Sequence, residues 1–506
     1  DLHSFPTRRS SDLHIVIGRL VLLQIVRHDY YTELSQGNRV RIEPIPAARG
    51  LIYDRNGEVL AANQPAFQLE LVREQVPDLD AALAGLVRIG VLPKDEVDDV
   101  KRAVRSRRSF DAVPVRLRLS EDEIARFAVR RFEFPGVDIK SRLARSYPHG
   151  ELAVHALGYV SAISEQDLAR IDRAAYTGTT LIGKLGVESA FEKELHGTNG
   201  FRKVLVNSQG RSVEREALMQ DLRDQDPTAG KDLVLAMDLN VQRVAEQALG
   251  TSRGAIVALD PRNGDVIALV SRPGFDPHLF GRGLTRVEYD TLQNNIDRPL
   301  FNRALRGVYP PGSTIKPVIA LTGLAHGVVV PEHTRYCRGF FTLPGSRHRF
   351  RDWKPQGHGT VNLQEAIAKS CDVYFYALSE AIGVDRISEA LGRFGIGKPT
   401  GLDIGGEKSG LLPSREWKRR AFSRPAEQVW FPGETVIFGI GQGYLLATPL
   451  QVAHMAAIVG ARGKSFKPRL VVGVRDPASG DVNRLEPRPA AIWRSEERRV
   501  GKECRS

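Results

Sequence analysis

Residues 254–270, GAIVALDPRNGDVIALV, constrain the fold more than any other stretch. Two apolar runs of strand length flank the turn-forming quartet Pro261-Arg262-Asn263-Gly264, a pattern that predicts a hairpin of buried strands. Just before it, LVLAMD reads as a strand and LNVQRVAEQAL as a helix. A hairpin with helices before and after it predicts an antiparallel sheet packed by helices, an α+β arrangement. The composition shifts through DPTAGKD, which places the start of this domain near 231.

Residues 31–230 read differently. ARGLIYDRNGEVLA holds an Asn56-Gly57 turn signal between apolar runs and predicts a second hairpin. Residues 80–131 are rich in Arg, Asp and Ala at helical spacing. No catalytic constellation occurs here, so the region reads as an extended polar platform. The chain has 506 residues and a net charge of +12. No zinc-finger spacing, RNP-type aromatic motif or dense basic block accompanies that charge, so a solvated basic surface is expected rather than nucleic-acid binding.

The ends stand apart. Residues 1–13 and 494–506 resemble translated adapter sequence and are expected to be non-native, Cys504 among them. Residues 14–26, HIVIGRLVLLQIV, are apolar but shorter than the roughly 20 residues a bilayer span needs. Residues 14–30 are therefore expected to be the remnant of an N-terminal membrane anchor, with an ordinary buried helix as the alternative.

The chemistry concentrates in Tyr309-Pro310-Pro311-Gly312-Ser313-Thr314-Ile315-Lys316-Pro317. Pro and Gly break the chain before Ser313, and VIALTGLA after it is helical, so Ser313 falls at a helix start with Lys316 one turn on. A serine hydroxyl needs a base within hydrogen-bond reach, and a lysine can serve where burial disfavours its ammonium form. The helix N-terminus adds N–H groups for a developing oxyanion. Ser-x-x-Lys occurs nowhere else in the chain. The bland alternative is a helix cap followed by a surface lysine. Further on, Ser370-Cys371-Asp372 precedes VYFYAL. Ser370 can relay a proton there and Asp372 can orient the site, although both residue types also serve as plain caps.

Together these segments match the S-x-x-K and S-D-N-type motifs of penicillin-binding proteins and β-lactamases. With Arg49-Gly50, Tyr53-Asp54-Arg55-Asn56-Gly57, Gly183-Lys184-Leu185-Gly186-Val187-Glu188, RDWKPQGHG and GIGQGYLLATPLQ, the chain resembles the elongation-type class B penicillin-binding proteins. The resemblance implies a pedestal or dimerisation domain over 31–230 and a penicillin-binding/serine β-lactamase-like transpeptidase domain over 231–493. It implies a D,D-transpeptidase in which Ser313 attacks the D-Ala-D-Ala end of a peptidoglycan stem peptide, Lys316 activates it, and Ser370 and Asp372 assist. β-Lactams trap the same serine. A SEDS-family membrane glycosyltransferase and the elongation complex are the implied partners. The implied location is the bacterial inner membrane, single-pass, with a periplasmic catalytic domain. A D,D-carboxypeptidase, a β-lactamase and a β-lactam-acylated sensor or scaffold are the alternatives.

The family's third motif, K-[ST]-G-[TS], is not found. Lys408-Ser409-Gly410 precedes GIGQGY and is followed by Leu-Leu-Pro, which suits a turn. The expectation is a C-terminally truncated domain without the substrate-binding strand, and hence an inactive chain. Finally, Cys337, Asp352, His358 and Cys371 flank the catalytic motifs. Thiolate, imidazole and carboxylate suit a closed structural zinc site, and some members of the resembled family carry one at corresponding positions. A Cys337–Cys371 disulfide is the main rival, and plain loop roles for Asp352 and His358 are the third reading.

Overall fold

The computed structural model describes residues 7–26, 40–106, 109, 112–205 and 224–492. Residues 494–506 with Cys504, and residues 27–30 of the expected anchor, lie outside the described residues. A helix spans Thr7–Val21 and thus runs through the boundary expected at residue 13. Once begun, a helix adds residues cheaply even where apolar spacing is missing, as in TRRSSD. No helix among the described residues is long and apolar enough to cross a membrane.

Both hairpins predicted from turn signals are present. Ile52–Tyr53 pairs antiparallel with Val59–Val72 across a turn in which Gly57 takes φ +90°. Gly254–Leu259 pairs antiparallel with Val266–Arg272, and Gly264 takes φ +81° in the connection. Positive φ is the conformation glycine adopts without a Cβ clash. In the region that reads as helical from sequence, helices Leu79–Arg88, Val97–Ser106 and Glu121–Val129 are joined by a strand, Ala112–Arg116. That strand is short and carries Pro114, so its own sequence announces it weakly. Long-range pairing with Leu69–Val72 creates it.

The boundary near 231 is not a break in the sheet. Asp232–Leu235 pairs antiparallel with Val471–Arg475 on one side and parallel with Ile52–Tyr53 on the other. One seven-stranded sheet thus runs from the C-terminal region into the platform. The 14-residue strand Val59–Val72 continues it, pairing with Val137–Ser146 along ten residues. Beside this seam lies a buried ionic knot. Glu188 is fully buried and accepts from Arg49 Nε and Arg145 Nε, both at 2.7 Å, and from Tyr147 Oη at 3.3 Å. Arg49 also reaches Glu192 at 2.6 Å, and Arg145 reaches the Gly50 carbonyl at 2.7 Å. Burial alone would raise the Glu188 carboxyl, but Arg145 and Arg49 more than offset it and hold it below its ordinary value.

The other half of the catalytic region is helical. Helix Asp372–Ile382 is apolar nearly all round and buries eight of its residues, as a helix at the centre of a core must. Helices Lys316–Ala325, Val384–Arg393 and Pro432–Phe438 pack against it, and Pro449–Gly460 adds Met455 and Ile458 to the same hydrophobic core. Each large side chain buried there contributes about 1.5–3 kcal/mol by removal from water. This packing fixes the helix start that carries Ser370-Cys371-Asp372 against the helix start that carries Ser313.

Candidate active site and thiol cluster

Ser313 lies in a 3-10 turn, Gly312–Ile315, that leads directly into helix Lys316–Ala325. Thr314 Oγ1 donates to the Pro311 carbonyl at 2.8 Å and closes the turn. Behind the serine, Gly312 N–H donates to Gly441 O at 2.9 Å. A Cβ on Gly441 would stand 2.0 Å from the Gly312 carbonyl oxygen, so only glycine allows this approach. Ser313 is exposed while Lys316, one turn on, is buried. The nucleophile candidate faces solvent and its base candidate does not.

Lys316 Nζ has three acceptors: Ser370 O at 2.9 Å, Ser370 Oγ at 3.0 Å and Asp372 Oδ1 at 2.6 Å. It also lies 5.4 Å from the centre of the Phe375 ring. Ser370 Oγ in turn lies 2.9 Å from Ser313 Oγ. The four sequence candidates Ser313, Lys316, Ser370 and Asp372 therefore meet, in the order serine, serine, lysine, carboxylate. Sequence spacing suggests direct contact between Lys316 and Ser313, whereas the structure interposes the Ser370 hydroxyl. Ser370 takes φ +50°, a left-handed conformation costly for a residue with a Cβ. Neither Ser370 nor Asp372 is a plain cap: Cys371 is the N-cap of its helix, and no side chain caps it.

The second cluster adjoins the first. Cys337 Sγ lies 3.6 Å from both Asp352 Oδ2 and His358 Nδ1. Cys371 Sγ lies 3.5 Å from Asp352 Oδ2, and His358 Nδ1 lies 3.6 Å from Asp352 Oδ1. All four ligand atoms fall within 4.8 Å of one another. Zinc bonds of about 2.0–2.3 Å in a tetrahedron put ligand atoms roughly 3.3–3.8 Å apart, so the donor set fits that ion. Both cysteines are free thiols. Burial pushes the Cys371 thiol well up, while the N–H groups of Lys354 and Val373 outweigh burial and keep the Asp352 carboxyl low. The His358 Nε2 atom is buried with no hydrogen-bond partner, an orphan of the kind native interiors rarely keep.

Residues without a role in the sequence reading complete the site. Trp353 N–H donates to Asp372 Oδ2 at 3.3 Å, and its indole N–H donates to the Lys369 carbonyl at 3.2 Å. Gly441 belongs to GIGQGY, whose contact with Gly312 no sequence spacing reveals. Lys408-Ser409-Gly410 lies in a loop: Lys408 N–H donates to Leu305 O, and Ser409 O accepts from Gln451 Nε2.

Comparison with known proteins places these features in one group. Residues 44–235 match the family model described as the penicillin-binding protein dimerisation domain, and residues 254–498 match the penicillin-binding protein transpeptidase domain. The chain is 43% identical to the peptidoglycan D,D-transpeptidase MrdA of Acinetobacter baumannii, over 93% of this chain and 70% of the relative. PBP2 of Helicobacter pylori, solved as a complex with MreC, superposes with a TM-score of 0.76 at 28% identity, over 92% of this chain and 83% of that one. PBP2 of Pseudomonas aeruginosa, solved in complex with WCK 5153, gives a TM-score of 0.64 at 36% identity, over 90% and 78%.

Proposed function

The chain belongs to the penicillin-binding protein family and is a peptidoglycan D,D-transpeptidase; from that premise we propose that Ser313 is its acylated nucleophile, served by Ser370 and Lys316. The observation that carries this reading is the unbroken contact from Ser313 Oγ through Ser370 Oγ to Lys316 Nζ. Ser313 Oγ attacks the penultimate D-alanyl carbonyl of a donor stem. Its proton passes to Ser370 Oγ, whose own proton passes to Lys316 Nζ. The N–H of Ser313 stands in a first helical turn, where such groups lack an intrahelical acceptor and are free to stabilise a developing oxyanion. Collapse of the tetrahedral intermediate breaks the peptide bond, and the proton returns by the same route to the departing D-alanine. An amine from a neighbouring stem then attacks the ester and regenerates Ser313. Asp372, bonded to Lys316 and to Trp353 N–H, holds the lysine in line. Incubation with labelled penicillin tests the assignment. The adduct is expected on the peptide containing Ser313, formed slowly where the K-[ST]-G strand is missing, and is expected to vanish in Ser313→Ala, whereas labelling that survives the substitution overturns it.

Cys337, Asp352, His358 and Cys371 would hold a zinc ion in a closed structural site, where it would neutralise two buried thiolates and tie the strand end at Cys337 to the 352–358 loop and the helix start at Cys371. One zinc per chain by elemental analysis supports this, and absence of zinc with two alkylation-resistant cysteines favours the disulfide. Membrane attachment is assigned to the N-terminal segment, where the helix Thr7–Val21 exposes Leu13, Ile15, Ile17 and Leu20. The transpeptidase domain then works in the periplasm, within the elongation complex. There an MreC-like protein, as bound to the Helicobacter relative, and a SEDS-family glycosyltransferase are its partners. β-Lactams occupy the Ser313 site as mimics of D-Ala-D-Ala.

A further inference from the structure

Residues 335–354, RYCRGFFTLPGSRHRFRDWK, hold six Arg or Lys and one acidic residue, Asp352, which is buried in the thiol cluster. Arg338, Arg347, Arg349, Arg351 and Lys354 are exposed, and none forms an ion pair among the described residues. The basic run 415–424 differs: Arg415 pairs with Asp385, Arg420 with Glu416 and Arg424 with Glu427, and Arg419 alone of its exposed cations has no ion pair among the described residues. The segment folds as a hairpin, Phe340–Phe341 against Phe350–Arg351. There the Arg338 guanidinium stands 4.3 Å and the Arg349 guanidinium 4.5 Å from the centre of the same Phe340 ring. The ring thus holds two cations within about 9 Å of each other, close enough to bind one anion jointly and to repel each other without it.

The hairpin is tied to the catalytic centre. Tyr376 Oη donates to Arg351 O at 3.1 Å, and Trp353, one residue past Asp352, bonds through its N–H to Asp372. Trp353 is 64% exposed and offers a flat face at the rim. Unpaired guanidiniums, an exposed indole and continuity with Ser313 fit one occupant. Stem peptides of peptidoglycan bear free carboxylates along their length, and the glycan offers C–H faces that stack on aromatic rings. Resting on the reading of Ser313 above, we propose that the Arg338–Arg349 pair over Phe340, with Trp353, is a docking surface. It takes the carboxylates of an uncrosslinked peptidoglycan strand whose stem is delivered to Ser313.

The test is binding of soluble uncrosslinked glycan strands to the full chain, followed by anisotropy. Binding is expected to weaken about tenfold in the double variant Arg338→Ala/Arg349→Ala, and to stay near the unsubstituted value when both become lysine. Strands with amidated carboxylates are expected to bind the unsubstituted chain as weakly as native strands bind the double variant. Arg347→Glu, on the exposed turn between the strands, checks the same surface without touching the core and is expected to weaken binding too. Penicillin acylation of Ser313 is expected to be unchanged in every variant, because none of the substituted arginines bonds to Ser313, Lys316, Ser370 or Asp372. Equal strand binding in the arginine variants, or indifference to amidation, overturns the proposal. So does binding of phosphatidylglycerol vesicles with the same arginine dependence, which would mark a lipid-facing surface. Penicillin labelling that persists in Ser313→Ala refutes the Ser313 reading instead, so the two failures are distinct.

Discussion

Removing the Ser370 hydroxyl is the sharpest probe of the proton route. Ser370 Oγ is 2.9 Å from Ser313 Oγ and 3.0 Å from Lys316 Nζ, and the Lys316 side chain bonds to Ser370 and Asp372 rather than to Ser313 Oγ. Without that oxygen the proton must cross the gap unaided. Positioned acid–base catalysis contributes about 10²–10⁴ in rate. At about 1.36 kcal/mol per decade that is roughly 3–5 kcal/mol of barrier. The fold should tolerate the change, because Lys316 keeps Ser370 O and Asp372 as acceptors and is not left buried and unpaired. Backbone strain separates two variants. Ser370 sits at φ +50°, so Ser370→Ala keeps a cost of about 1 kcal/mol that Ser370→Gly relieves. Both are expected to lose at least a hundredfold in the second-order rate of acylation by a fluorescent penicillin, and Ser370→Gly is expected to melt no earlier than Ser370→Ala. Acylation within about threefold of the unsubstituted chain in both variants would falsify the relay and leave Lys316 acting on Ser313 directly.

Three further outcomes follow from the same geometry. Glu188→Ala leaves Arg145 buried with only the Gly50 carbonyl and Asn63 as acceptors, while Arg49 keeps Glu192. The expected loss is about 3–5 kcal/mol in chemical denaturation, and a loss below about 1 kcal/mol would show that the knot is not a net contributor. Burial pushes the His155 imidazole from 6.5 down to about 4. The unfolded chain therefore takes up the proton first, so this group's contribution is intact above pH 6.5 and is lost as pH falls from there to about 4, at most about 3 kcal/mol. The difference in unfolding free energy between the unsubstituted chain and His155→Gln should shrink over that window, and a flat difference contradicts the sign. Strong chelation is expected to lower the melting temperature and to make Cys337 and Cys371 reactive to a thiol reagent. A treated protein with the same melting temperature and two silent thiols speaks against a resident metal.

The parts of the fold legible in the sequence are those fixed by local chemistry. Asn56-Gly57 and Pro261-Arg262-Asn263-Gly264 announce their hairpins because positive φ at glycine is a property of a few residues, independent of the rest of the chain. Helix Leu239–Leu249 announces itself by period, with Asp238 capping it through the N–H groups of Asn240 and Val241. The seam near residue 231 does not. The parallel pairing of Ile52 with Leu233 brings together segments that share no local signal, and their joining depends on where both chains are delivered. The strand Ala112–Arg116 is hidden for the same reason: its partner at Leu69–Val72, not its own composition, makes it a strand.

The site divides along the same line. A helix start carrying Ser313, and a lysine one turn later on its buried side, follow from the Pro-Pro-Gly break and the apolar run behind it. The position of Ser370 between them does not follow, because it depends on packing helix Asp372–Ile382 against helix Lys316–Ala325. That packing has a second consequence. Cys371 faces the thiol cluster while its neighbours on either side, Ser370 and Asp372, both bond to Lys316. Asp352 accepts from Val373 N–H, and Trp353 N–H donates to Asp372, so the loop from the cluster is bonded to the catalytic helix start at two successive residues. Whatever fixes Asp352 and Cys371 therefore also fixes the strained backbone at Ser370. A perturbation at Cys337, which touches Asp352 and His358 but none of the four residues at the proton route, should reach acylation only through that backbone. The signature is specific: in Cys337→Ser, acylation and thiol protection fall together while the pedestal's own unfolding is unmoved. Loss of acylation with Cys371 still protected would place the coupling elsewhere.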